Sequence, residues 1–416
     1  MHIKTILNQI TDYKSFVFEK VRWGDKDRTI EVEIPPRANG VITCSGCGRA
    51  CSCYDTSPNT RRFEFIPVWG IMVYFLYRMR RVNCPMCNVK VESVPWAEGK
   101  SAMTLEFKWY LARWAGRMSW KEVAVAFHVS WDRVYEAVKH AVSWGLEHRN
   151  LENVESIGVD EVQWKRGHKY QTLVYQIDNG YKRLLWIGVD RKAKTLFRFF
   201  RFFGTERSEK LKFVCSDMWQ AYIKVISKKA INAVHVLDRF HVMQKIGKAI
   251  NDVRASEVKQ LKQDGYEPIL KGGRWLLLKR PENLSEKQTV KLDEILQYNL
   301  KSVRSYIMKE DFQRFWEYTY PGNASNFLKQ WCTRAMRSQI EPMKKVARTL
   351  RDKHELLLNW FLANGEISAG VVEGFNNKVK LITRKSYGFR TQEAYETALY
   401  HNLGALPQRE FTHEFF

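Results

Sequence analysis

Two kinds of side chain in this sequence are spaced for chemistry: thiols in pairs, and carboxylates at the ends of apolar runs. Cys44-Ser-Gly-Cys47 and Cys84-Pro-Met-Cys87 are two C-x-x-C turns, each aiming two thiolates at one tetrahedral ion. Zinc is the natural occupant, held structurally, because four thiolates leave no open coordination position. Cys51 and Cys53 lie between the pairs and read as bystander thiols. Asp160 sits inside the apolar run Gly158-Val159-Asp160-Glu161-Val162, and Asp217 follows directly on Phe213-Val214-Cys215-Ser216. Glu373 opens a segment whose apolar stripe is Val372, Phe375, Val379 and Ile382. Carboxylates at strand ends meeting one from a helix make a hard, oxygen-rich site suited to magnesium or manganese. Two such ions support an in-line phosphoryl transfer that needs no protein nucleophile. Glu161, Asp190 and Asp238 compete for the same roles, Asp238 most seriously, since it also follows an apolar run.

The elements that must position these groups follow from pattern and composition. The chain has 416 residues, with 68 Lys+Arg against 45 Asp+Glu, a formal charge of +23, and 45% hydrophobic content. That excludes one small module and a disordered basic tail, and points to a polyanionic partner, with nucleic acid ahead of a membrane surface. No apolar run is long enough to span a membrane and the start lacks a secretory signal, so a soluble, cytoplasmic protein is expected. Residues 1–95 read as a small β-rich, zinc-binding module. Residues 96–150 read as a helix-turn-helix: Ser119-x-x-Glu122 is a capping box, Val129-Ser130 breaks the pattern, and Val134, Val138 and Ala141 share one face of the second helix. Arg133 and Lys139 on that helix are the expected DNA-contacting cations.

Residues 156–237 give three strands, a helix, a strand, a helix and a strand, the ribonuclease H-like order, so the catalytic core is expected to start within 151–250. A helical insertion is expected over 251–365, and the last part of the core with a tail over 366–416. Lys380 and Arg384, on the polar face of the segment after Glu373, are further candidates for DNA phosphates. The stretch Arg198-Phe-Phe-Arg-Phe-Phe203 reads equally as a phosphate-holding surface and as a basic helix face packed on aromatics.

These residues resemble the DDE transposases of prokaryotic insertion sequences, in the family written ISL-three (ISL3). The resemblance runs over nearly the whole chain. It rests on the paired C-x-x-C module, on Gly158-Val159-Asp160-Glu161, on Cys215-Ser216-Asp217-Met218-Trp219 with Tyr222, on Leu237-Asp238-Arg239-Phe240-His241, and on Gly370-Val-Val-Glu373-Gly-Phe-Asn-Asn-Lys378 leading to Arg384. It implies a ribonuclease H-like core with Asp160, Asp217 and Glu373 as the metal-binding triad, and terminal inverted repeats recognised by the zinc and helix-turn-helix modules. The expected function is metal-dependent cleavage at element ends and strand transfer into target DNA, by a homodimer that joins two ends. A zinc-containing transcriptional regulator without catalysis is the alternative; it leaves the three carboxylates idle.

Overall fold

The computed structural model describes residues 3–11, 13–24, 29–165, 167, 169–266, 269–363 and 370–409, the side chains of 370, 371 and 373 excepted. The chain divides into two compact units, one of Met1–Asn150 with Leu381–Phe416, the other of Leu151–Lys380. No described helix is long and apolar enough to cross a membrane.

The first unit opens with helix α1 (Ile3–Ile10) and seven strands: β1 (Val21–Trp23), β2 (Thr29–Glu33), β3 (Ser52–Thr56), β4 (Arg61–Val68), β5 (Ile71–Tyr77), β6 (Arg80–Cys84) and β7 (Asn88–Val91). They form two sheets, ordered β1-β2-β5-β4 and β3-β6-β7. Period-two alternation turns Ile30 and Val32 of β2 inward, onto an aromatic core in which Trp96 meets Phe16 and Tyr77 edge-on. The apolar run from Val68 is divided by Trp69 and Gly70, both at positive φ, so a tight turn makes it the end of one strand and the start of the next.

Helices α2 (Leu105–Arg117), α3 (Trp120–Ala126) and α4 (Trp131–His148) follow. The expected capping box is present: Ser119 accepts from Glu122 N–H while Glu122 accepts from Ser119 N–H. Ser130 caps α4 by accepting from Arg133 N–H. Val134, Val138 and Ala141 are buried against α2 and α3.

The second unit carries a five-stranded sheet, β8 (Ser156–Lys165), β9 (Lys169–Asp178), β10 (Tyr181–Val189), β11 (Phe213–Ser216) and β12 (Val234–Leu237), in the order β10-β9-β8-β11-β12. The first three are antiparallel; β11 is parallel to both β8 and β12. Helices α5 (Ala193–Phe203), α6 (Thr205–Glu209) and α7 (Gln220–Lys229) fill the connections. Phe199, Phe200 and Phe203 of α5 enter the core with Ile157 and Val159 of β8, while Arg198 and Arg201 face solvent. That stretch is a basic helix face over packed aromatics.

From Asp238 the chain is helical, as expected: α8 (Arg239–Gln263), α9 (Arg274–Leu278), α10 (Glu286–Leu296), α11 (Lys301–Gln313), α12 (Pro321–Arg337), α13 (Glu341–Asp352) and α14 (His354–Leu362). A separate core, with Phe312, Phe315 and Trp331 at its centre, holds them together. Helix α15 (Gly370–Lys385) begins in this unit; from Leu381 on, with α16 (Gln392–Leu403), the chain counts with the first unit, where Ala394 and Ala398 pack in the core of α2 and α4.

Candidate functional site

Register decides which acids meet. Ser216 pairs with Val159 across the parallel β8–β11 ladder and with Leu237 across β11–β12. One step further along each strand stand Asp160, Asp217 and Asp238, so three neighbouring parallel strands bring a carboxylate each to one level of the sheet. Asp160 and Asp238 are buried and Asp217 is partly so. Alternation along β8 puts Gly158 and Asp160 on one face, and Ile157, Val159 and Glu161 on the other.

Each acid is held. Asp160 Oδ1 accepts the Glu161 N–H at 2.7 Å, and its Oδ2 accepts from the side-chain amide of Asn376 on α15. Asp217 Oδ1 accepts the Trp219 N–H at 2.9 Å, and Asp238 Oδ1 caps α8 by accepting the Phe240 N–H at 2.8 Å. The imidazole of His241, one turn into α8, lies between two of them, with Nε2 3.6 Å from Asp160 Oδ1 and 3.8 Å from Asp238 Oδ2. Burial alone would lower the His241 pKa, but its contact with Asp160 and the charges of Asp160, Asp238 and Asp217 push it up to about 9. Burial, with the charge of Asp160 added, raises Asp217 above the usual carboxylate range; the Trp219 N–H and His241 oppose the rise. Glu161, on the opposite face, pairs with Arg191 at 2.9 Å, yet burial first and Asp217 next push it up to about 7.

Helix α15 reaches the sheet because residue 158 has no side chain: a Cβ there would sit 2.6 Å from Val372 Cγ2. Phe375 stacks on Tyr175 of β9, with ring centroids 4.4 Å apart and planes 13° apart. Val372, Phe375 and Val379 are buried, whereas Ile382 packs with the helical core of the first unit. The expected apolar stripe therefore serves two cores. The backbone of Glu373 lies in the first turn of α15; its side chain is outside the described residues. Lys380 and Arg384 are exposed on the same helix.

The donor set fits a divalent cation. Asp160, Asp217 and Asp238 offer carboxylate oxygens, the ligand type of hard divalent ions, and burial with the charge of Asp160 raises the Asp217 pKa, as expected for acids gathered together. His241 is the cation that offsets Asp160 and Asp238.

The thiols converge independently. The ligand atoms of Cys44, Cys47, Cys84 and Cys87 all lie within 4.8 Å of one another, and among the described residues this is the one such group of three or more His, Cys, Asp or Glu side chains. Cys84 ends β6, and Asn88, at φ 58°, starts β7, so a tight β6–β7 turn carries the second pair. The Met86 N–H, followed by smaller contributions, holds the Cys84 thiol down to about 6. Cys51 flanks the group, with its thiol donating to the Arg49 carbonyl at 3.4 Å, and Cys53 points to the Asp55 carbonyl at 3.5 Å. Four sulfurs so placed fit a tetrahedral metal ion.

The two cations expected on the recognition helix are engaged within their own unit: Arg133 pairs with Glu64, and Lys139 with Glu393. His241 and Asn376 carried no assigned role in the sequence. Their signals were the Asp238-x-x-His241 spacing, one helical turn, and the i, i+3 relation of Asn376 to Glu373.

Residues 157–399, more than half of the chain, match the DDE family of ISL3 described as transposase, and residues 92–142 match the helix-turn-helix domain of transposase family ISL3. The chain belongs to the ISL3 transposase family. It is similar to the transposase for insertion sequence element IS1001 of Bordetella parapertussis, 29% identical over 398 residues, covering 94% of this chain and 96% of the relative. It is also similar to the transposase for IS1557 of Mycobacterium tuberculosis, 29% identical over 404 residues, covering 91% of this chain and 89% of the relative. The protein is thus a DDE-type DNA transposase with a helix-turn-helix domain, and the regulator reading is set aside.

Proposed function

We propose that this transposase cleaves DNA at the ends of its insertion sequence and joins them to target DNA, using Asp160, Asp217 and Glu373 on a ribonuclease H-like core. The observation that carries this reading is the parallel β8–β11 pairing, which sets Asp160 beside Asp217 on the sheet that receives the helix bearing Glu373. Asp160, Asp217 and Glu373 would hold magnesium or manganese, as two ions, which would supply Lewis-acid stabilisation of charge at the phosphate and activation of the attacking oxygen. Asn376 orients the Asp160 carboxylate, and His241 balances its charge. In the first step a water oxygen attacks phosphorus at the element end, and the bond to the 3′ oxygen breaks, freeing a 3′-hydroxyl. In the second step that hydroxyl attacks a target phosphorus, and the target strand leaves with its own 3′ oxygen.

A structural zinc on Cys44, Cys47, Cys84 and Cys87 organises residues 1–95, which with the helix-turn-helix of 96–150 read the terminal inverted repeats. The catalytic core starts within 151–250, is interrupted by the helical insertion of 251–365 and has its last part, followed by a tail, within 366–416, where the chain from Leu381 on counts with the first unit. Arg133, Lys139, Lys380 and Arg384 contact DNA, the first two by exchanging Glu64 and Glu393 for phosphates. Two copies act together, since two ends are joined, in the cytoplasm at the nucleoid.

Glu373→Gln tests the reading, because it keeps shape and removes charge. Binding to terminal-repeat DNA should persist while magnesium-dependent nicking and joining fall by on the order of 10³-fold. Robust strand transfer by that variant would remove Glu373 from the triad and make Asp238 the acid to test.

A further inference from the structure

Beside the acid cluster, within the second unit, lies a cleft of about 690 Å³ between α8 and the insertion helices α9 and α11. Its wall on α8 is one helix face: Phe240, Gly247, Lys248 and Asn251 recur at i, i+7, i+8 and i+11, while Val242, Ile246, Ala249 and Ile250 bury the opposite face. Leu278, the last residue of α9, lies alongside Gly247 at ordinary contact distance, 3.6 Å from where a Cβ would sit. The far wall is fixed by Lys309, a buried cation whose ammonium donates to the Leu277, Leu278 and Lys279 carbonyls at 3.2, 3.4 and 3.2 Å and pairs with Glu310 at 2.7 Å.

The lining is one-sided in charge. Arg239, Lys248, Arg274 and Arg280 line the cleft, no Asp or Glu does, and among the described residues none of the four has a carboxylate within 4.0 Å. Burial and then the neighbouring Arg280 depress the Arg239 pKa, with the charge of Glu317 opposing them. Two aromatic faces stand open in the same cleft: Trp275 is 56% exposed and Phe240 44%. The Arg274 guanidinium lies 5.0 Å from the Trp275 ring centroid.

We propose that this cleft binds an unpaired DNA strand, stacking a base on Trp275 and holding its phosphates with Arg239, Lys248, Arg274 and Arg280. A duplex presents phosphates but keeps its bases stacked inside, which would leave the exposed area of both rings uncovered. An unpaired strand satisfies rings and cations together, without sequence preference. The cleft adjoins the acids through the chain itself: Arg239 and Phe240 line it, and Asp238 and His241 flank them in sequence. The source of the strand rests on the cleavage reading above, in which nicking leaves a free end at the carboxylates. The affinity for unpaired DNA does not depend on it.

The test uses the full-length protein and fluorescence anisotropy with labelled oligothymidylate, with terminal-repeat duplex as the comparison. Trp275→Ala should weaken oligothymidylate binding about 5- to 150-fold, the loss of roughly one stacked base, and Trp275→Phe should restore most of it. Arg274→Ala with Arg280→Ala should flatten the salt dependence by about 1.4 in slope, roughly 0.7 for each lost phosphate contact. Duplex affinity should stay near that of the parent. Unchanged oligothymidylate affinity and slope, with melting temperatures matching the parent, would overturn the proposal, as would equal losses on duplex and single strand. A parent protein that fails to nick repeat ends, yet loses oligothymidylate on Trp275→Ala, would remove the cleavage reading and leave the cleft assigned.

Discussion

An imidazole wedged between two carboxylates is a charge balance with a measurable pH signature. His241 titrates near 9 in the folded protein against an ordinary 6.5, so its stabilisation is complete below 6.5 and fades as pH rises through 9. Glu161, raised to about 7, adds a loss of the same sign over roughly 4.5 to 7, which leaves the upper window to His241. Urea midpoints measured without added divalent metal should therefore fall between pH 7 and 9 more steeply in the parent than in His241→Gln. Parallel curves would mean that the imidazole carries no such charge. At this scale the sequence is legible where a residue type is out of place: Asp160 inside an apolar strand and Asp217 at the end of one are conspicuous, and so are paired thiols. His241 and Asn376 are ordinary polar residues on helices. Only the fold makes them neighbours of Asp160, so no local pattern could give them their roles.

At the scale of elements, the approach of α15 to β8 depends on a missing atom. Gly158→Ala should force Val372 and its helix away from the sheet, cost about 1–3 kcal/mol of stability, and cut strand transfer far more than DNA binding. Gly374→Ala, two residues past Val372 on the same helix, is the control: its Cβ meets nothing within 4 Å, so it should gain up to about 1 kcal/mol from helix propensity. Urea titration with end-joining assays on both variants checks this, and equal behaviour would show that the close approach is unimportant. The strands and caps were legible because backbone rules are local: alternation in β2, Ser119 with Glu122, and Ser130. The stripe of α15 was legible as apolar but not as divided. Period 3.6 identifies a buried face and says nothing about which core buries it, so the separation of Ile382 from Val372, Phe375 and Val379 needed coordinates.

For the whole molecule, the buried clusters fall within the two units, each with cores of its own. Scanning calorimetry should then show two transitions. Cys84→Ser, or zinc chelation, should lower one of them while leaving the other in place, because metal-binding energy is folding energy in such modules. A single transition, or two that shift together, would contradict independent cores. Composition and charge had indicated a large, basic, multi-core protein. Linear reading marks where the chain changes character, at the cysteines or at the start of the helices, but a segment that returns to an earlier core carries no such mark. Ala394 and Ala398 look like any helix interior, yet they complete the core of α2 and α4. The same closing stretch of chain supplies Asn376 to Asp160, a bond spanning 216 positions. Protein synthesis delivers residues 370–398 after the elements they complete, so a product released before Gly370 lacks the amide at the acid cluster and the alanines in the helix-turn-helix core together. Loss of the chain from Gly370 on thus removes contacts from both units in one event.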